Sequence, residues 1–362
     1  MIRFLLFIFF FPIVLFSQTI KNSSALEIDF LRGNVVPHTD DLFHLAGHTE
    51  GIMLSFSKKT NGNKEWHKAF NYPDFGGYFL FQDLKNNYLG ENYAVGMHYN
   101  FYFLKRNFHF KIAQGIAYTT NPYDKVENSK NKAFGTKFMG NANFGLYYKK
   151  ENIIDNVGLH AGLLFTHYSN GRFKSPNSGI NTLLLNVGIN YNFDDKTKRK
   201  LDSTYVKTKL TEPIKYNFVF RTGLNESPVI GSGQHPFYHI GFYADKRINR
   251  KSALQLGTEV FLTTSFKDYI KYRSVSFQEF YIDPNTDYKR VGVFVGHELI
   301  INKISLEAQL GFYVYDPLKN EIPVYDRIGM KYYITKKLFT GFTLKTHMFL
   351  AEAIEFGVGL RL

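Results

Sequence analysis

From residue 18 onward the chain alternates between apolar and polar or small side chains. Between 93 and 103, Tyr93, Val95, Met97, Tyr99, Phe101 and Phe103 form an apolar set interleaved with Ala94, Gly96, His98, Asn100 and Tyr102. Leu306, Ala308, Leu310, Phe312 and Val314 likewise alternate with Ser305, Glu307, Gln309 and Gly311. Ile354, Phe356, Val358, Leu360 and Leu362 alternate with Glu355, Gly357, Gly359 and Arg361. A period of two marks strands with unlike faces. It predicts strands near 26–33, 50–57, 76–83, 88–104, 108–118, 138–149, 157–168, 180–193, 214–222, 237–246, 252–264, 289–301, 304–314, 325–334, 337–346 and 351–362, the first three with the weakest pattern.

A soluble sandwich or barrel would turn the apolar set inward and the polar set to water. The segments here are about ten residues long and strongly aromatic, the pattern of an outer-membrane barrel with apolar residues toward lipid and polar ones toward the lumen. Connection lengths agree with this. Short or basic turns at 105–107, 149–152, 246–251, 302–303 and 335–337 alternate with longer loops at 119–137, 169–180, 223–235, 265–288, 315–324 and 347–350. Short turns belong to the periplasmic side and long loops to the exterior. The exception is 194–213, long and basic in a periplasmic slot, which reads as a solvated excursion. The expected fold is all-β, a single transmembrane antiparallel β-barrel over 18–362 with about 14 strands (12–16 allowed), since closed bacterial barrels have an even number.

The N-terminal segment changes the picture of location. Arg3 precedes the apolar run 4–16, and Ser17 and Gln18 follow it. This reads as a secretory signal peptide over 1–17, because a membrane anchor would need about 20 apolar residues. The 362-residue chain has no cysteine, hence no disulfide, thiolate metal site or lipidated cysteine. Its formal charge of +13 points to an anionic partner. With an export signal, that partner is anionic lipid and not nucleic acid.

Within this pattern one hairpin stands out. On the strand at 157–168, Val157, Leu159, Ala161, Leu163 and Phe165 form the lipid-facing row, and His167 and Ser169 continue it. On the next strand Leu183, Leu185, Val187, Ile189, Tyr191 and Phe193 are the lipid set, and Asn181 shares their phase. Three polar side chains thus converge on the outward face at the extracellular end, where unpaired polar groups are costly. Two side chains at i and i+2 of a strand point the same way, with Cα atoms roughly 6.5–7 Å apart. Ser169 can then act as a nucleophile with His167 as its base. Asn181 can hold the other ring nitrogen, and Asn170 with nearby backbone N–H groups can bind an oxyanion.

These residues carry a resemblance. His167-Tyr168-Ser169-Asn170, followed by Pro176-Asn177-Ser178-Gly179, resembles the PagL family of outer-membrane lipid A deacylases over about 157–190. The resemblance implies a transmembrane barrel that hydrolyses an ester-linked acyl chain of lipid A on its lipid-facing surface. Carried over, Ser169 is the nucleophile, His167 the base and Asn170 an oxyanion donor. Two departures stand beside it. Asn181 occupies the position where the family usually has Glu, so it can orient imidazole but cannot neutralise imidazolium. The family's barrels are typically eight-stranded, whereas this chain is about twice that length, as in a longer branch of the acyloxyacyl hydrolase type.

The remaining candidates add less. Arg172 and Lys174 can pair with lipid A phosphates. Pro176, Asn177 and Gly179 read as turn formers. His44 and His48, within 38–50, have helical metal-ligand spacing without an HExxH pattern, so that segment reads as a polar external loop. There is no P-loop or dinucleotide fingerprint, and no metal or cofactor is expected. The sequence therefore reads as an outer-membrane esterase acting on lipid A within lipopolysaccharide. The competing reading is a non-enzymatic barrel, a channel or structural protein, with a degenerate site.

Overall fold

The computed structural model describes residues 23–193, 210, 212–276, 281–348 and 350–362; the signal peptide expected at 1–17 and most of the 194–213 excursion lie outside them. Eight strands come first: β1 (Ser24–Val36), β2 (Gly47–Lys59), β3 (Asp74–Asp83), β4 (Glu91–Phe103), β5 (Phe108–Thr119), β6 (Phe138–Ile154), β7 (Val157–Ser169) and β8 (Ile180–Asn192). Eight more follow: β9 (Lys215–Glu226), β10 (Gln234–Arg247), β11 (Ser252–Thr263), β12 (Arg290–Ile301), β13 (Ile304–Tyr315), β14 (Val324–Tyr333), β15 (Leu338–His347) and β16 (Leu350–Arg361). All sixteen predicted segments are strands, and the three weak ones are full strands of 13, 13 and 10 residues.

The single 14-stranded barrel is not what forms. β8 returns to pair with β1, from Ala25↔Asn192 to Val36↔Asn181, and closes a first barrel. β16 pairs with β9, from Phe356↔Thr222 to Arg361↔Asn217, and closes a second. The reason is physical: alternation dictates that strands exist and which face is apolar, but closure is a long-range pairing that local pattern does not encode. The alternation of short and long connections survives, because each barrel has an even strand number and starts and ends at the same rim. One expected turn also moves. β6 runs through 149–152 to Ile154, with a register irregularity after Lys150, and turns at 155–156.

The walls are apolar outward. On β8, Leu185 is 66% exposed while its neighbour Asn186 is 1% exposed. For a water-soluble fold this would be inside out; in a bilayer it is the required arrangement. A 13-residue strand such as β8, rising about 3.3 Å per residue and tilted about 45°, gains about 30 Å, the thickness of the hydrocarbon layer.

Eight strands leave an interior that side chains fill. In the first barrel Lys149 Nζ lies 2.6 Å from Glu27 and Lys111 Nζ lies 3.3 Å from the same carboxylate, while Leu31, Met53, Leu80, Leu164 and Leu184 pack into an apolar cluster. In the second, Arg327 bonds Glu259 and Glu355 at 2.6 Å each, Lys331 pairs with Glu307 at 2.5 Å, and Arg290 and Lys345 share Glu352 at 2.5 Å. An isolated charge there would cost several kcal/mol, which explains why each is paired.

The two barrels touch at both rims. At the rim carrying loop 170–179, Ser175 N donates to Glu226 Oε2 at 2.6 Å and Ser175 Oγ donates to the Ser227 carbonyl at 2.9 Å. Gln234 Nε2 donates to the Phe173 carbonyl at 2.8 Å, and Arg172 pairs with Glu321 at 3.3 Å. At the opposite rim Arg250 pairs with Glu65 of the short helix α1 (Glu65–Ala69), and Lys251 lies 4.7 Å above the Phe70 ring.

Candidate active site

The β7–β8 hairpin keeps the phase expected of it. Val157, Leu159, Ala161 and Leu163 are exposed, whereas Gly158, His160, Leu164 and Thr166 are buried. His167 and Ser169 belong by parity to the outward row, and the register sets His167 directly opposite Asn181. On their other flank, β6 places Ala142 beside His167 and Gly140 beside Ser169. Both neighbours are small, so little side-chain bulk stands beside the pair.

The two halves of the candidate pair have different partners. His167 Nδ1 meets Asn181 Oδ1 at 2.6 Å, and Asn181 Nδ2 meets His38 Nδ1 at 3.1 Å. With Asn181 Oδ1 facing it, an atom that only accepts, His167 Nδ1 carries the hydrogen and Nε2 keeps its lone pair. Ser169 Oγ instead faces Asn177: Asn177 Nδ2 donates to it at 2.9 Å, and Ser169 lies 3.2 Å from Asn177 Oδ1. Gly171 N donates to the same Oγ at 3.0 Å. Among the described residues, no hydrogen bond joins Ser169 to His167.

Loop 170–179 takes its shape from two glycines in the left-handed region. Gly171 has φ +63°, which aims its N–H at Ser169, and a side chain there would collide with Ile354 of the second barrel. Gly179 has φ +73°; a Cβ on it would sit 3.0 Å from His167 Cε1 and 2.9 Å from the Tyr168 carbonyl. Asn177 is held by its own acceptor, which takes the Asn170 N–H at 2.8 Å.

The other expected site residues fall in different places. Asn170 is buried, but its Nδ2 donates to Thr136 Oγ1 at 3.2 Å and to the Lys174 carbonyl at 2.9 Å, away from Ser169. Its backbone N–H is directed at Asn177. The donors around Ser169 Oγ are thus Asn177 Nδ2 and Gly171 N. Sequence reading missed Asn177, because an asparagine after a proline looks like a turn residue, whereas Gly171 N is one of the backbone N–H groups expected near Ser169. Arg172 enters the cleft, but its charge is paired with Glu321, and Lys174 is exposed. Lys132, from the loop before β6, lines the cleft without having been singled out. His44 and His48 have separate partners, the Lys130 carbonyl at 2.8 Å and Asn34 at 2.7 Å.

The cleft itself has a volume of about 280 Å³ and lies between the barrels. His167, Ser169, Asp41, Lys132 and Ser178 line it from the first barrel, and Leu344, Leu350, Ala351, Pro228 and Ile230 from the second. Asp41 Oδ2 accepts from Ser178 Oγ at 3.0 Å, which puts a carboxylate at the mouth.

Comparison with known proteins divides the chain where the structure does. Residues 50–190 match the family model of lipid A 3-O-deacylase (PagL), and residues 214–362 match that of the acyloxyacyl hydrolase C-terminal domain. No curated protein matches. Among solved structures, neisserial surface protein A is 12% identical, with 48% of this chain and all of that one covered at a TM-score of 0.30. OccAB3 of Acinetobacter baumannii is 11% identical, with 94% and 98% of the two chains covered at a TM-score of 0.22.

Proposed function

The chain belongs to the PagL-like family of lipid A deacylases and acyloxyacyl hydrolases of bacterial outer-membrane β-barrels, and from that premise we propose that it is an outer-membrane acyl-ester hydrolase of lipid A with Ser169 as nucleophile. The observation that carries this reading is the grouping around one outward-facing hairpin. A histidine is oriented through Nδ1 by Asn181, a serine lies two residues along the same face, and two N–H donors converge on that serine's oxygen.

In the free protein those donors hold Ser169 Oγ. An ester carbonyl entering the cleft competes for Asn177 Nδ2 and Gly171 N, and a rotation about the serine Cα–Cβ bond turns Oγ toward His167 Nε2. Hydrogen bonds of this kind are often unformed until substrate binds. Oγ attacks the carbonyl carbon as its proton passes to His167 Nε2. Asn177 and Gly171 then stabilise the oxyanion. The C–O bond to the sugar breaks, the departing oxygen takes the proton from His167, and water cleaves the acyl-enzyme to release the fatty acid. His38 is a positioning residue here, since it holds the Asn181 amide with Oδ1 toward His167. The family description makes the 3-O ester the bond to examine first.

The filled interiors of both barrels count against a channel. The test is mass spectrometry of lipid A from cells producing the full-length protein. Loss of one ester-linked acyl mass with the wild type, and none with Ser169→Ala, supports the reading. Equal acylation in both contradicts it.

A further inference from the structure

The cleft is asymmetric. Its first-barrel wall is polar and charged, with Asp41, Lys132, Ser178 and the candidate pair. Its second-barrel wall is apolar, with Leu344, Leu350, Ala351, Pro228 and Ile230. Leu350 and Ile230 are exposed although they lie at the rim where the barrels meet. The loop is fixed against that wall: Glu226, buried, receives the Ser175 N–H and donates its own N–H to the Arg172 carbonyl at 3.0 Å, so the 172–175 part of the loop is tied to the second barrel, while Ser178 N and Gly179 N donate to the Lys132 and Ala133 carbonyls of the first.

Resting on the hydrolase reading above, we propose that the second barrel is the acyl-chain wall of the site. The ester's sugar and phosphate side lies along the polar wall. The chain to be released runs over Leu344, Leu350 and Ala351, so chain-length selectivity resides in the barrel that lacks the nucleophile. The chemistry matches each wall. Apolar surface recognises methylenes, and each one buried adds to binding. Lys132 beside Asp41 and Ser178 offers polar contacts to a phosphorylated sugar. Gly171 links the two functions, because its N–H faces Ser169 while its Cα packs against Ile354 of the second barrel.

The test uses the full-length protein in detergent micelles. Ala351→Trp narrows the apolar side without touching Ser169, His167, Asn177 or Asn181. Hydrolysis of p-nitrophenyl palmitate is expected to fall about tenfold or more while hydrolysis of p-nitrophenyl acetate stays within about twofold. Equal losses on both esters, or a loss on neither, would overturn the proposal. A second arm does not depend on turnover: a palmitoyl ester with a terminal diazirine is photolysed with Ser169→Ala protein and the adduct is mapped. Label on the peptide holding Leu350 and Ala351 supports the proposal, and label confined to the first barrel overturns it. Label at Leu350 in a protein whose wild type hydrolyses neither ester would sink the hydrolase reading and leave the apolar wall standing.

Discussion

The two barrels share an architecture and differ in what their last hairpins carry. In the first, β7 ends with His167 and Ser169 in the outward row, and a loop folds back to surround the serine with donors. In the second, β15 ends with His347, which is buried, bonded to the Tyr313 hydroxyl at 2.9 Å and 3.4 Å from Glu352. One histidine serves a surface cleft and the other an internal polar network. The interiors differ in the same sense. The first barrel combines a small charged group with an apolar cluster, whereas the second is threaded by Arg–Glu and Lys–Glu pairs. Function in such folds lives in a site grafted onto a wall. Here a ten-residue loop, 170–179, makes the difference.

The largest effect should come from removing the proposed nucleophile. Ser169→Ala is expected to cost about 10⁴-fold or more in ester hydrolysis, and His167→Ala a similar factor, because members of such a unit fail together. Burst kinetics with p-nitrophenyl esters would measure both. Neither change should alter the unfolding of the second barrel. The converse is Arg327→Ala, which takes from buried Glu259 and Glu355 one of the two guanidinium groups that pair with them and leaves only Arg221. It should destabilise the second barrel by about 3–5 kcal/mol in denaturant titration in micelles. If it instead left stability unchanged, the contrast between the interiors would lose its energetic meaning.

Smaller effects sharpen the role of the loop. Asn177→Ala removes one of two donors on Ser169 Oγ and should lower kcat about 10²-fold with little change in KM. An equal loss in kcat and gain in KM would make Asn177 a substrate contact instead. Asn181→Glu supplies a negative counter-charge to the imidazolium and should raise kcat, by about tenfold if it recovers roughly 1.4 kcal/mol of transition-state stabilisation. Glu321→Ala, which releases Arg172 at a partly exposed rim, should change stability by less than about 1 kcal/mol.

The sequence carried the strands almost completely, because exposed Leu185 beside buried Asn186 is a pattern that a period of two reveals at every step. It did not carry closure. The pairing of Val36 with Asn181 joins residues far apart in the chain, and the same alternation would serve one wide barrel or two narrow ones. The basic stretch 194–213 was the available clue: eight predicted strands precede it and eight follow it. At the site, the pairing of His167 with Asn181 across the hairpin was legible from parity alone, whereas the burial of Ser169 under its loop was not. The side-chain donor was not either, since Asn177 reaches Ser169 through the left-handed turn at Gly171 and the bond from Asn170 N. The second-barrel residues of the cleft carry no motif. Leu344, Leu350 and Ala351 are ordinary wall residues until tertiary contact gives them a neighbour.

The proposed nucleophile can be examined directly with a long-chain alkyl fluorophosphonate, which labels an activated serine covalently and reports its position by peptide mass mapping. The label is expected on Ser169 in the full-length wild type and is expected to disappear with His167→Ala. A label on another serine, or no label in a folded protein that still removes acyl chains from lipid A, would contradict Ser169 as the nucleophile.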